Sequence, residues 1–231
     1  MRRALREVAS ESDATFLQRF FRTGPGEYGE GDKFLGVRVP ATRKLVRQFT
    51  DATLPDILVL LQSEWHEERL LALLLMVRRY QRGSDTERRA VYRGYLTNMR
   101  YVNNWDLVDS SAEHIVGAHL ASSPRAEALL MKLTRSKLLW ERRIAMLSAF
   151  YFIKRNEFGL ATMIAAQLLH DKEDLIHKAS GWMLREAGNR DRKVIDVFLA
   201  AHLHEMPRTM LRYAIEKLPE PQRLKYLKAR P

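Results

Sequence analysis

The chain has 231 residues, of which 46% are hydrophobic and 29% charged, enough apolar material for a real core and the wrong balance for global disorder. Lys and Arg number 39 against 28 Asp and Glu, and a formal charge of +11 favours a polyanionic partner: DNA, RNA or an anionic membrane surface. Cys is absent, which excludes disulfides, Cys-ligated zinc and a thiol nucleophile and fits a reducing cytoplasm. The longest apolar run, Leu70 to Val77, is far short of a membrane span, and the N-terminus lacks an apolar signal core while Glu7, Glu11 and Asp13 argue against an organelle transit peptide.

Helical periodicity runs through the chain. Asp13 is the expected N-cap of a helix with the stripe Phe16, Leu17, Phe20, Phe21. Residues 24–39 break the pattern, and Pro40 opens a helix to about Phe49. Helices are expected at 53–61 and 64–80, the latter with Leu70, Leu71, Leu74, Leu75 and Met76 facing inward. Ser84 with Glu87 makes a capping box for a helix to about Met99. Asn103 or Asn104 caps one ending near Leu120, and Ser123-Pro124 starts one to about Thr134. Further helices are expected at 137–154, 157–169, 173–187, 191–203, 208–218 and 220–228, and no segment alternates as a strand should.

The helices come in pairs with short polar turns. Trp65, Trp105, Trp140 and Trp182 recur at gaps of 40, 35 and 42 residues. The expected fold is therefore all-α: one domain over 1–231, an α-solenoid of HEAT-like antiparallel helix pairs with a basic concave face, against the alternative of an irregular helical bundle. Basic residues spread along the chain. Many lie at helix ends, where cations relieve the dipole, and the remainder read as a phosphate track.

Three motifs fail their context. Gly24-Pro-Gly-Glu-Tyr-Gly29 fits a nucleotide-binding pattern by letter, but no strand precedes it, no helix starts on it, and Glu27, Glu30 and Asp32 would repel phosphate, so it reads as a flexible surface loop. The seven His residues show no metal spacing and none is assigned to a metal or to catalysis. No Ser sits in a nucleophile elbow.

Trp105 and Asp109 stand four residues apart, which on a helix puts an indole and a carboxylate on one face. The structural alternative is a core Trp and an acid in a first helical turn. Trp140-Glu-Arg-Arg143 offers a guanidinium, and Gly181-Trp182-Met-Leu-Arg-Glu186 a second indole with a small neighbour.

These stretches, with Phe34-Leu-Gly-Val-Arg38-Val-Pro40, Arg43 and Lys178-Ala-Ser, resemble in order and separation the AlkD-like family of DNA alkylpurine glycosylases, over residues 14–218. The resemblance implies HEAT-like repeats, Trp105, Asp109 and Trp182 as the active-site residues, and Arg143 supporting them from the DNA-facing side. It implies DNA contacts at Phe20, where the family carries Tyr, and by extension at Arg38, Arg43, Lys178, Arg185, Arg208 and Arg212. Asp174-Leu175 stands where some members carry paired aromatics. The implied activity is hydrolysis of the N-glycosidic bond of cationic alkylated purines (3-methyladenine, 7-methylguanine) in duplex DNA, by a cytoplasmic monomer without metal, organic cofactor or Schiff-base lyase step. The competing readings are a non-catalytic protein of the same fold binding bent or branched DNA, and a helical protein-binding scaffold.

Overall fold

The computed structural model describes residues 1–229. Among them every regular element is helical, with one isolated bridge between Lys33 and Trp65. No helix among the described residues is long and apolar enough to cross a membrane. The chain forms two compact units, Met1–Ile115 and the remainder from Val116.

The first unit holds α1 (Arg2–Arg6), α2 (Glu11–Phe20), α3 (Val39–Val46), α4 (Leu54–Leu61), α5 (His66–Arg82), α6 (Asp85–Thr97) and α7 (Trp105–Asp109), with a 3₁₀ turn at Met99–Tyr101. Its centre is α5, whose run from Leu70 to Val77 is buried, with α4 and α6 packed on it across short turns. The capping box of Ser84 and Glu87 forms as expected. The cap of α2 does not: Ser10, extended at φ −140°, accepts from the Asp13 amide at 3.3 Å, which places Asp13 inside the first turn. The 24–39 segment is anchored rather than loose. Gly36 sits at φ +81°, and a Cβ there would lie 1.9 Å from the Ser10 carbonyl oxygen, so only glycine fits.

The second unit holds α8 (Ala118–Leu120), α9 (Ala126–Thr134), α10 (Leu139–Ser148), α11 (Phe150–Ile153), α12 (Gly159–Gln167), α13 (Asp174–Arg190), α14 (Arg192–His202), α15 (Arg208–Ala214) and α16 (Glu220–Ala229). Here α13 is central. It meets α15 at Gly181, where a Cβ would stand 2.4 Å from the Met210 carbonyl oxygen.

Two expected helices are broken, each at a serine that takes a helix carbonyl for itself. The 103–120 helix ends at Asp109, where Ser111 Oγ donates to the Leu107 carbonyl at 2.5 Å, and resumes through a π turn at Glu113–Gly117. The 137–154 helix breaks at Ala149, next to Ser148, whose Oγ donates to Ile144 at 2.6 Å. Such back-bonding bends helices.

One device opens three helices. The Ser63 hydroxyl accepts the Trp65 amide at 3.1 Å, while Arg69 Nη1 returns to the Ser63 carbonyl at 2.9 Å. Ser136, Leu138 and Arg142 repeat this at 3.1 and 3.0 Å. Asp171, Glu173 and His177 repeat it at 3.0 and 2.7 Å. In each case the middle residue is the N-cap. This is the repeat register. The tryptophans do not mark it: Trp65 is an N-cap, Trp105 opens α7, Trp140 is second in α10 and Trp182 lies mid-α13.

Candidate active-site helix and its support

The first turn of α5 carries four consecutive ionisable residues, His66, Glu67, Glu68 and Arg69, and all are buried. Each is engaged with another segment of the chain. Glu67 accepts the amides of Leu35, Gly36 and Val37 at 2.9, 2.8 and 3.1 Å, folding the loop onto the helix. Glu68 pairs with Arg2 at 2.9 Å and Arg6 at 2.8 Å, which holds α1, an element the sequence did not announce. Arg69 pairs with Asp32. His66 stands between Asp32, 3.0 Å from Nδ1, and Asp106, 2.8 Å from Nε2.

Asp32 thus lies inside the unit, not on a phosphate-repelling loop. Its pKa is lowered: burial opposes this, but the His66 hydrogen bond, the Arg69 charge and the Asn104 amide prevail. Burial likewise opposes the charged form of His66, yet the charges and hydrogen bonds of Asp106 and Asp32 raise it from 6.5 to about 9. The rest of the loop serves itself, because Glu27 and Glu30 accept the amides of Gly24 and Gly26 at 3.0 Å each. Those amides are therefore taken already, which agrees with rejecting a nucleotide-binding loop.

This network supports α7. Asn104 caps it, Oδ1 accepting the Trp105 amide at 2.8 Å while Nδ2 donates to Asp32 at 3.1 Å. Asp106 in its first turn reaches His66. Trp105 is half-buried on a cluster of Leu17, Phe21 and Phe34, stacked on Phe21 at 5.2 Å and 24° and met edge-on by Phe20 at 6.0 Å. Phe20 and Phe16 are 52% and 45% exposed and stack on each other at 6.0 Å.

Asp109, half-buried, is the last residue of α7. A carboxylate at that end opposes the helix dipole, so the first-turn account of this acid fails; Asp106 occupies that role. Burial, with the Asp109 charge adding to it, pushes the Tyr95 phenol upward, against its hydrogen bond to Ser111.

The remaining candidates lie in various settings. Arg38 pairs with Asp13 at 2.5 Å and covers Phe16 at 4.7 Å, and Arg43 is exposed. In the second unit, Trp182 is half-buried, donates Nε1–H to Glu186 at 3.2 Å and meets Phe150 at 5.8 Å. Arg143, expected to support the site from the DNA-facing side, is 5% exposed and donates to the Leu175 carbonyl at 2.6 Å, so its guanidinium holds the first turn of α13. Lys178 pairs with Asp174 at 2.8 Å, and Arg185 with Glu216. Arg208 donates to the Leu227 carbonyl at 2.9 Å. Lys178 and Arg212 line one hollow of about 450 Å³ with Thr209, Tyr213 and Glu216. Among the described residues no group of three or more His, Asp or Glu is placed to hold a metal ion.

The chain is thus an all-α helical-repeat protein in which a half-buried indole and a half-buried acid share one short helix. Residues 1–218 match the family model described as DNA alkylation repair enzyme, and the chain belongs to that family. A solved structure from Enterococcus faecalis, described as a predicted DNA alkylation repair enzyme, superposes with a TM-score of 0.71 over 92% of this chain and 97% of that one. At 17% identity this likeness shows the shared helical-repeat fold. No curated relative matches the chain.

Proposed function

We propose that the protein is a monofunctional DNA glycosylase of base excision repair, hydrolysing the N-glycosidic bond of cationic alkylated purines such as 3-methyladenine and 7-methylguanine in duplex DNA. The observation that carries this reading is α7, where Trp105 and Asp109 sit four residues apart, both half-buried, in a chain of the DNA alkylation repair family.

Alkylation at N3 or N7 makes the purine a cation, so it leaves as a neutral base when the C1′–N bond electrons depart with it. No general acid is needed. The sugar left behind is oxocarbenium-like, as in glycoside hydrolysis. The Asp109 carboxylate stabilises that charge and takes the proton of the attacking water as the new C1′–O bond forms. Trp105 offers its π face to the cationic sugar. Trp182 is assigned a like role from the resemblance alone.

Exposed Arg43 and Arg212, with Lys178, Arg38, Arg185 and Arg208, are assigned to backbone phosphates. Arg143 acts from beneath by holding α13. The protein is read as a cytoplasmic monomer acting on the nucleoid.

The test is release of 7-methylguanine from methylated duplex. Asp109→Asn slows release about 100-fold or more while duplex affinity stays within about twofold. Equal release rates in variant and wild type overturn the catalytic assignment.

A further inference from the structure

We infer that His66 is the positioning residue for Trp105 and Asp109: as an imidazolium bridging Asp32 and Asp106, it fixes α7 to the body of its unit. The activity arm of this inference rests on the glycosylase reading; the spectroscopic arm does not.

A helix of five residues has too few internal hydrogen bonds to hold its own direction. Its orientation must come from outside, and two side chains supply it. Asn104 and Asp106 both reach the Asp32–His66 pair. The other carboxylate oxygen of Asp106, Oδ1, is buried and has no hydrogen-bond partner, which leaves His66 as the group that holds this acid.

The ring faces a carboxylate oxygen at each nitrogen. An ionised carboxylate only accepts, so both ring nitrogens must donate, and only the imidazolium does that. The ring is flanked by Phe34 at 4.5 Å and Phe21 at 4.9 Å, whose faces suit a cation. Phe21 also stacks on Trp105, so the ring that lies on His66 is the ring that seats the indole.

The charged groups facing His66 are Asp32 from the loop and Asp106 from α7; from its own helix Arg69 joins through Asp32. Asn104, Phe21 and Phe34 bring no charge. Loss of the proton therefore leaves two carboxylates against one guanidinium, and Asp106 is the acid without another partner.

The scaffold itself does not require this arrangement. At the equivalent first position of α10 stands Leu139, and at that of α13 Asp174. The charged ring occurs at the start of α5, the helix that contacts α7 within the first unit.

The experiment follows the Trp105 indole N–H resonance of the ¹⁵N-labelled full chain from pH 6 to 10, assigned with Trp105→Phe, alongside the His66 ring signals. The indole resonance holds still until His66 titrates near pH 9 and then shifts with the same midpoint. In Asp106→Asn both midpoints fall by at least one pH unit. Its single-turnover base release at pH 8.5 falls at least tenfold with duplex Kd unchanged, and returns toward wild type at pH 6.

A purely structural role would lower thermal stability without moving that pH profile. An indole resonance that ignores the His66 midpoint, or a variant that keeps the wild-type midpoint, overturns the inference. Should Asp106→Asn not fold, the wild-type titration decides it. Should wild type release no base, the glycosylase reading falls while the resonances still decide whether His66 sets Trp105.

Discussion

The starts of α5 and α10 close in the same way. A serine hydroxyl takes the N-cap amide at 3.1 Å in both, and an arginine returns to the serine carbonyl at 2.9 Å in one and 3.0 Å in the other. Each arginine is balanced by one aspartate, Asp32 or Asp171. What differs is the filling. In α5 the residues between serine and arginine include His66, Glu67 and Glu68, all buried and each engaged with another segment. In α10 the corresponding stretch has Leu138, 54% exposed, and Leu139, Trp140 and Glu141, all half-buried. The shared clamp is scaffold, and of the ionisable residues that α5 adds to it Glu67 holds the loop, Glu68 holds α1 and His66 holds the helix that bears Trp105 and Asp109.

The comparison breaks most readily at the two aspartates. Asp32→Ala strands a buried Arg69 and a buried imidazolium, and is expected to lower unfolding free energy by about 3–5 kcal/mol. Asp171→Ala strands Arg142, which keeps 14% of its side chain in solvent, and the expected loss is roughly half as large. Equal losses in urea denaturation would show that the first clamp carries no more than the second.

Alkali provides the next test. The pKa of His66 is raised in the folded chain, so its stabilisation is complete below pH 6.5 and is lost as pH climbs through about 9. A rise of that size corresponds to something on the order of 3 kcal/mol. Urea midpoints at pH 6 and 10 should therefore converge between wild type and Asp106→Asn on the alkaline side; a constant gap would contradict it. The smallest effect sharpens the likeness itself: Ser63→Ala and Ser136→Ala should each lose about 0.5–1 kcal/mol, and by the same amount, because each hydroxyl serves one half-exposed turn.

The helices were legible because their signals are local. Ser84-x-x-Glu87 forms its capping box, Thr53 caps α4, and the apolar run of α5 is the core it was read to be. What escaped depends on partners distant in sequence. Asp13 and Ser10 are both good caps, and only the extended backbone at Ser10 decides between them. A run such as His-Glu-Glu-Arg looks like a solvated helix start until Arg2, Asp32 and Asp106 are brought to it. The breaks near Ser111 and Ser148 arise from hydroxyls that compete for carbonyls, which periodicity does not register. The placement of Trp105 and Asp109 on one helix was readable from spacing, whereas the burial of Arg143 was not, since a guanidinium near a Trp reads equally as a surface charge.

Because four neighbouring residues at the start of α5 between them hold three separate segments, that turn behaves as a hub keyed by angle. Adding or deleting one residue there would rotate every spoke by about 100° relative to its target. The amino-terminal helix, the loop and the tryptophan-bearing helix would all lose their moorings together. A substitution at this turn would release one mooring, whereas a change in its length would release all of them.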